Sequence, residues 1–224
     1  MISHQYKCIF IHIPKCAGTS IEKALGHFER HLGRGGQDHR SMGEIEEAFT
    51  TTGISGLKKY VRKMLPIGGL KKRPARNPKN DLVVTREQYE EYYKFTIIRN
   101  PWERAYSWYE NMVRDKRHHQ KYGVTADLTF KDFLRDHAGV GLLKPQTWWL
   151  KSLDGSIKFD QIGRFETLQE DFRRACEAMG IPHIQLPHIL QGATENHKQH
   201  YDDESFEVIL RIYKEEIELF SFNF

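Results

Sequence analysis

Short apolar runs alternate along the chain with segments in which apolar residues recur at helical spacing. The apolar runs predict strands, and the amphipathic segments that follow them predict helices. We expect strands over residues 6–13, 94–98 and 158–164, and helices over residues 19–26, 102–115, 168–179 and about 203–220. Because strand and helix alternate in this way in βαβ crossovers, the pattern predicts an α/β fold with a mainly parallel sheet.

Two of the expected helices begin with the spacing of a capping box. Ser41 is followed three residues later by Glu44, and Thr167 by Glu170. In a capping box the hydroxyl accepts a hydrogen bond from the backbone N–H of the third residue of the helix, and the carboxylate of that residue accepts one from the backbone N–H of the capping residue. Helices are therefore expected to begin at Ser41 and Thr167. Pro101 is expected to be the first residue of its helix, where an N–H would be unpaired anyway.

Length, composition and charge exclude several classes of protein. A chain of 224 residues with 12% aromatic residues can bury a sizeable core and is not disordered, and we expect one domain over residues 1–224. No apolar run approaches the roughly 18 residues of a membrane span, and the N-terminus lacks the apolar run of a secretory signal. Three cysteines do not make a disulfide framework, so we expect a reducing compartment, most simply the cytoplasm.

Basic residues cluster in a stretch from about residue 53 to residue 80, although the net charge of the chain is only +4. No acidic residue occurs between Lys58 and Asn80, and several Pro and Gly residues interrupt regular structure. We interpret this stretch as a basic insertion in the domain. It is either a solvated loop or a surface that attracts an anionic substrate.

The first candidate site follows the first expected strand, where the sequence HIPKCAGTS occupies residues 12–20. A helix start offers unpaired N–H groups that favour an anion, and Gly18 would let the backbone approach it. Thr19 and Ser20 add hydroxyl donors, and Lys15 adds a positive charge. The segment therefore predicts a phosphate site. It is not a Walker A loop, in which the lysine directly precedes the hydroxyl residue.

Cys16 lies in the same turn, and its position beside a helix start predicts a lowered thiol pKa. A cysteine-phosphatase loop would also need an arginine that closes the turn, and residues 17–23 contain none. We therefore interpret Cys16 as a spacer within the turn rather than as a nucleophile.

The second candidate site lies where the strand expected over residues 94–98 ends. Arg99 follows that strand, and Ser107 lies about two turns into the helix that begins at Pro101. Open α/β sheets place their ligands at the carboxyl ends of parallel strands. Two strand ends suited to anions in one sheet predict a ligand that carries two separated phosphate groups.

The segments HIPKCAGTS and IIRNPWERAYSWY, about 80 residues apart, together resemble the sulfotransferases that use 3′-phosphoadenosine 5′-phosphosulfate (PAPS). The chain is most similar to their carbohydrate branch, which includes the chondroitin, dermatan and heparan 2-O sulfotransferases. The later segments IGRFETLQEDFRRACEAMGI and ENHKQHY…IYKEEIELFSFNF also resemble that branch. The resemblance implies a P-loop-like three-layer α/β/α fold. It also implies PAPS as donor and adenosine 3′,5′-bisphosphate (PAP) as product.

The same resemblance assigns roles to residues of this chain. The 5′-phosphosulfate would be held by the turn, and so by Lys15, Cys16, Ala17, Gly18, Thr19 and Ser20. Arg99 and Ser107 would hold the 3′-phosphate, and Lys198 is a further candidate for the phosphates of the nucleotide. Many relatives have Thr at the position of Cys16 and Gly at the position of Ala17, but backbone contacts could survive both changes.

Transfer of a sulfuryl group requires alignment, a stabilised leaving phosphate and removal of the acceptor's proton. Lys15 can supply the positive charge. We predict His39 as the general base, because imidazole accepts a proton near neutrality and the matching loop of this branch carries a histidine. His39 lies on a flexible loop that contains Gly35 and Gly36. A surface or supporting role for His39 stays open, and strand alternation predicts that His12 is buried and hydrogen-bonded.

A functional metal is not expected. The pairs His27 with His31 and His118 with His119 lack the cysteine or carboxylate that would complete a zinc site. Trp148 and Trp149 are interpreted first as core residues, although an exposed tryptophan stacks well on a sugar.

The expected partner is a hydroxyl-bearing acceptor, most simply a saccharide, and an anionic saccharide would suit the basic insertion. No nucleic-acid or membrane partner is expected. Two other classes stay open at this point. A nucleotide kinase or NTPase would need the Walker A spacing and a Walker B strand, and a non-catalytic polyanion-binding module would need only the basic insertion.

Overall fold

A sheet of four strands lies at the centre of the molecule, in the spatial order β1 (Ile2–Ser3), β2 (Cys8–Ile11), β3 (Tyr93–Ile98) and β4 (Gln161–Arg164). The structure is a computed structural model that describes residues 1–29, 31, 35–50, 76–182, 184–186 and 197–224. Strand β1 pairs antiparallel with β2, whereas β2, β3 and β4 are parallel to one another. The predicted α/β class with a mainly parallel sheet is therefore confirmed.

The central strands are apolar on both faces, as strands covered by helices on each side must be. All four residues of β2 are buried, and Phe10 of β2 pairs with Phe95 of β3. The hydroxyl of Thr96 donates to the carbonyl oxygen of Ile11 at 2.9 Å. Strands β2 and β4 are shorter than predicted. Gly163 of β4 lets the neighbouring helix approach, because an added Cβ would lie 2.7 Å from the Cβ of Asp171.

Helices surround the sheet in the described part of the chain, and none of them is long and apolar enough to cross a bilayer. They are α1 (Gly18–Ala24), α2 (Met42–Thr50), α3 (Arg86–Glu91), α4 (Pro101–Arg114), α5 (Lys116–Tyr122), α6 (Phe130–His137), α7 (Gln146–Leu150), α8 (Leu168–Ala178), α9 (Asp203–Ile212) and α10 (Lys214–Phe220). Short 3₁₀ turns cover Pro78–Asp81, Gly141–Leu143, Phe165–Thr167 and His197–His200.

The helix starts show where the capping predictions hold. Helix α2 begins after Ser41, whose backbone N–H donates to Glu44 at 2.9 Å while the Glu44 N–H donates to the serine hydroxyl at 3.3 Å. Pro101 is the first residue of α4, as predicted. Helix α8 begins after Thr167, but the predicted capping box there is wrong. The Thr167 hydroxyl donates instead to the carboxylate of Asp171 at 2.6 Å, so it does not cap the backbone.

The single long helix predicted over residues 203–220 is also wrong, because it breaks at Tyr213 into α9 and α10. Tyr213 is buried and leaves the helical conformation with φ −106° and ψ 19°. Its hydroxyl donates to the carbonyl oxygen of Leu143 at 2.7 Å and accepts the N–H of Gly139 at 3.0 Å. The free energy gained from the two hydrogen bonds of this buried hydroxyl outweighs the free energy lost where the helix is interrupted.

The basic insertion lies mostly outside the described residues, and its boundaries stay a prediction. Its end is described and is not a solvated loop. Asn77 and Asn80 are buried. The Asn80 amide donates to the carbonyl oxygens of Gly35 and Gln37 at 3.1 and 3.0 Å, and the Asn77 amide to that of Gly36 at 3.2 Å. Residues 35–37, which belong to the loop predicted to be flexible before His39, are therefore anchored by hydrogen bonds from two buried asparagine side chains.

Candidate functional site

A cleft of about 760 Å³ opens at the carboxyl ends of the three parallel strands. The turn at residues 14–20 follows β2 and forms one wall of the cleft. Arg99 follows β3 and forms part of a second wall with one face of α4, and residues 165–170 follow β4 and form a third. The site lies where parallel α/β sheets place their ligands, since successive strand ends and helix starts meet there.

The turn after β2 holds two non-glycine residues in the left-handed region, Lys15 with φ 71° and Ala17 with φ 60°. Side chains with a Cβ rarely adopt this backbone conformation, and it costs on the order of 1–2 kcal/mol per residue. Such strain persists only where the surrounding structure fixes it, and it concentrates at functional sites. The side chains of Lys15, Ala17, Thr19 and Ser20 all contribute to the lining of the cleft.

Gly18 is required at the start of α1 by a neighbour that the sequence did not reveal. An added Cβ would lie 2.1 Å from the Cδ2 atom of His12, far inside contact distance. The imidazole of His12 therefore packs directly on the glycine. The close packing of this ring explains why residue 18 must be a glycine, in addition to any role of the glycine in letting an anion approach.

Arg99 is buried, with 3% of its surface exposed. Its Nη1 donates to the carbonyl oxygen of Lys15 at 3.1 Å, and its Nε lies 3.4 Å from a carboxylate oxygen of Glu103. The guanidinium lies 3.9 Å from the centre of the Phe165 ring. Its Nη2 is buried and has no hydrogen-bond partner among the described residues. Because an unpaired buried donor is costly, this atom indicates a site for an anionic acceptor of hydrogen bonds.

Lys15 brings a second cation into the same cleft. Its Nζ lies 5.8 Å from the centre of the Trp108 ring. Burial, and then the positive charges of Arg99 and Arg114, lower the pKa of Lys15 to about 8. An anion bound beside Lys15 would reverse this effect, because it favours the ammonium form.

One face of α4 completes the cationic wall. Ser107, Asn111 and Arg114 line the cleft and are spaced as neighbours on one helical face. Ser107 was predicted from the sequence, whereas Arg114 was not. Extending the helical spacing from Ser107 by seven residues would have identified it.

His39 lines the cleft together with Lys15. Its Nδ1 lies 3.2 Å from the carbonyl oxygen of His12. Because a carbonyl only accepts hydrogen bonds, Nδ1 carries the proton and Nε2 keeps a lone pair. Burial, and then the nearby charge of His12, lower the pKa of His39 to about 3. The imidazole is therefore neutral at physiological pH, but the lowered pKa makes it a weaker base than the ordinary imidazole on which the sequence-based prediction rests.

His12 is buried, as the strand alternation predicted. Its Nδ1 lies 3.2 Å from a carboxylate oxygen of Glu22, and its ring centre lies 4.2 Å from that of His39. Burial alone would raise the pKa of Glu22, but the contact with His12 and the N–H of Asp38 outweigh it, so this pKa lies below its ordinary value. The carboxylate of Glu22 thus holds His12 in place, and the backbone carbonyl oxygen of His12 is the hydrogen-bond acceptor for His39.

Cys16 differs from its predicted behaviour. Burial raises the pKa of its thiol to about 12, so the predicted lowering is wrong. The loss of hydration outweighs any effect of the helix start. Its Sγ donates toward Gln146 Oε1 at 3.5 Å, and its N–H donates to the carbonyl oxygen of Ile13 at 3.3 Å. Cys16 is not among the residues that line the cleft.

The structure does not bring Lys198 to the other predicted residues. Its Nζ lies 5.2 Å from the centre of the Phe224 ring, and Lys198 is absent from the cleft lining. Trp149 is buried, in agreement with a core role. Trp148 is 38% exposed, and the Nζ of Lys144 lies 3.5 Å from the centre of its ring. No cluster of metal-ligating side chains occurs within the described ranges.

Seven of the predicted site residues thus line one cleft beside His39: Lys15, Ala17, Gly18, Thr19, Ser20, Arg99 and Ser107. Fold and cleft define an α/β protein suited to an anionic ligand at its parallel strand ends. A family model described as the sulfotransferase family matches residues 1–223, so the chain belongs to the sulfotransferase family and is a transferase. No curated protein and no solved structure matches it.

Two glycine substitutions test the packing of the turn. Gly18→Ala should lower the free energy of unfolding by about 1–3 kcal/mol, because its Cβ overlaps the His12 ring. Gly43→Ala is the matched control near the start of α2, where the nearest atom to an added Cβ is 3.5 Å away. It should raise that free energy by roughly 0.5–1 kcal/mol. Urea denaturation measures both, and equal effects of the two substitutions would contradict the packing.

Proposed function

We propose that this sulfotransferase takes its sulfuryl group from PAPS and releases PAP. The observation that carries the proposal is the buried Nη2 of Arg99, which has no hydrogen-bond partner in the described part of the chain and lies in the same cleft as Lys15. A ligand with one anionic group would satisfy one of these cations, whereas PAPS carries anionic groups at both ends of its ribose. The cleft volume of about 760 Å³ falls within the range of small-molecule sites.

In this proposal each anionic group has its own wall of the cleft. The turn holds the 5′-phosphosulfate through Lys15, Thr19 and Ser20, with backbone contributions from Ala17 and Gly18. Arg99 and Ser107 hold the 3′-phosphate. The side chain of Cys16 takes no part, since it is buried against Gln146.

His39 acts as the general base in the proposed reaction. Its Nε2 accepts the proton of the acceptor hydroxyl as the hydroxyl oxygen forms a bond to sulfur. The bond between sulfur and the bridging oxygen breaks, and its electron pair stays on the 5′-phosphate of PAP. Lys15 stabilises the charge that develops there, which is the usual task of a fixed cation at a leaving group.

We further propose that the acceptor is a carbohydrate, as in the branch that the sequence resembles. One feature of the described chain supports this choice. Arg114 and Lys121 add positive charge to the cleft, which favours a carboxylated or already sulfated saccharide.

Nucleotide binding tests the donor assignment. PAP at about 100 times its dissociation constant should stabilise the protein by about 2.7 kcal/mol. For a chain of this length, that raises the midpoint of thermal unfolding by about 5–10 °C. AMP lacks the 3′-phosphate and ATP carries its charge at the 5′ end alone, so both should give smaller shifts at the same concentration. Greater stabilisation by ATP would contradict the proposal and favour a nucleotide kinase.

The pKa of Lys15 predicts a pH dependence of PAP binding. The free protein loses the Lys15 charge above about pH 8, whereas bound phosphate would keep it protonated. The dissociation constant of PAP should therefore rise by about 10- to 30-fold from pH 7.5 to 9.5. Lys15→Arg should bind PAP with little change over this range, because guanidinium stays charged. Titration calorimetry measures both, and an equal rise in the two proteins would assign the effect to another group.

Replacement of His39 tests the base. His39→Ala should lower kcat by about 10²- to 10⁴-fold while the dissociation constant of PAP stays within about threefold. Because the His39 pKa is about 3, kcat of the wild type at saturating substrates should stay level as the pH falls from 7.5 to 5.5. His4→Gln, at an exposed histidine outside the cleft lining, is the control and should keep full activity. Full activity of His39→Ala would exclude this base.

A further inference from the structure

Gln146, the first residue of α7, lies beneath both anion-binding segments and was not found from the sequence. It has no exposed surface. Its Oε1 accepts the backbone N–H of Arg99 at 2.8 Å, and its Nε2 donates to the backbone carbonyl oxygen of Arg99, also at 2.8 Å. The carboxamide therefore pairs with Arg99 as a further strand would, directly beyond the last residue of β3.

The remaining hydrogen-bonding positions of the carboxamide also have partners. Oε1 accepts from the thiol of Cys16 at 3.5 Å, and Nε2 donates to a carboxylate oxygen of Glu216 at 2.9 Å. The backbone N–H of Gln146 donates to the other carboxylate oxygen of Glu216. If the amide oxygen and nitrogen exchanged places, the NH₂ group would face the N–H of Arg99, and the amide oxygen would face the acceptor oxygens of Arg99 and Glu216. The orientation of the side chain is therefore fixed.

These contacts place Gln146 at the junction of the two walls of the cleft. It holds the main chain of Arg99 on one side and contacts Cys16 of the turn on the other. The guanidinium of Arg99 in turn donates to the carbonyl oxygen of Lys15. A shift of the Arg99 backbone would move the unpaired Nη2 away from its place in the cleft.

We propose that Gln146 is the positioning residue for Arg99 and thereby sets how strongly the enzyme prefers nucleotides that carry a 3′-phosphate. The inference rests on the proposed function, because it takes the 3′-phosphate to be the group at Arg99. Gln146 itself does not contact the nucleotide. Its loss should therefore weaken the contact made by the 3′-phosphate and leave the contacts of the 5′ end largely intact.

The test is the ratio of the dissociation constants of AMP and PAP, which reports the contribution of the 3′-phosphate alone. The wild type should bind PAP at least about tenfold more tightly than AMP, in line with a charge-assisted hydrogen bond. Gln146→Met keeps the length of the side chain and removes its hydrogen bonds. It should lose most of this preference while AMP binding changes by less than about threefold.

Tyr89→Phe is the matched control. It removes another buried hydrogen bond, from the Tyr89 hydroxyl to Glu46, outside the residues that line the cleft. It should destabilise the chain and keep the wild-type ratio. Gln146→Asn retains a carboxamide that is one methylene too short to reach Arg99 in the same way, so it should also lower the ratio. It serves as the second variant if Gln146→Met does not fold.

Three outcomes would overturn the inference, and they are distinguishable. A wild-type ratio that persists in Gln146→Asn or in folded Gln146→Met would overturn the role of Gln146 alone. A wild type that binds AMP as tightly as PAP would overturn the 3′-phosphate assignment of the proposed function, and this inference with it. A ratio that falls equally in Tyr89→Phe would show that the effect follows from stability rather than position.

Discussion

The site depends on one hydrogen bond, from the buried guanidinium of Arg99 to the main-chain oxygen of Lys15. It joins the end of β3 to the turn that follows β2, and so fixes the distance between the two cationic walls. A buried guanidinium is expensive unless its donors are paired. Glu103 and the Phe165 ring compensate part of this cost, and Nη2 is the donor that has no partner among the residues the structure describes. The structure thus keeps one strong donor available to a ligand.

A buried polar layer beneath the cleft holds the strained turn in place. Arg104 is buried, and its Nε donates to the carbonyl oxygen of Pro14 at 3.0 Å while its Nη2 donates to that of Leu142 at 2.7 Å. Glu216 is fully buried beside Gln146, and burial raises the pKa of its carboxyl. Arg104 binds main-chain atoms, Glu216 binds Gln146, and neither lines the cleft. They therefore act on function only through position. Networks of this kind fix one arrangement when every member is satisfied.

Several residues that line the cleft could be predicted from the sequence, because they follow rules that act over short distances. Lys15, Arg99 and Ser107 each lie at a fixed distance from a strand end or a helix start, and periodicity locates those ends. What escaped prediction depends on contacts between distant segments. Gln146 binds a backbone 47 residues away, and no local pattern marks such a partner. The break at Tyr213 likewise depends on the carbonyl oxygen of Leu143. The raised pKa of Cys16 is decided by burial, which a local helix-start argument does not include.

In the proposed function, one cleft holds both ends of a single adenosine nucleotide. A crystal structure of the complex with PAP would show this arrangement. We expect the 3′-phosphate within hydrogen-bond distance of Arg99 Nη2 and the 5′-phosphate within reach of Lys15 in the same molecule of PAP. A complex in which PAP contacts only one of these two side chains, or lies in another cavity, would refute the proposed binding of both phosphates in one cleft.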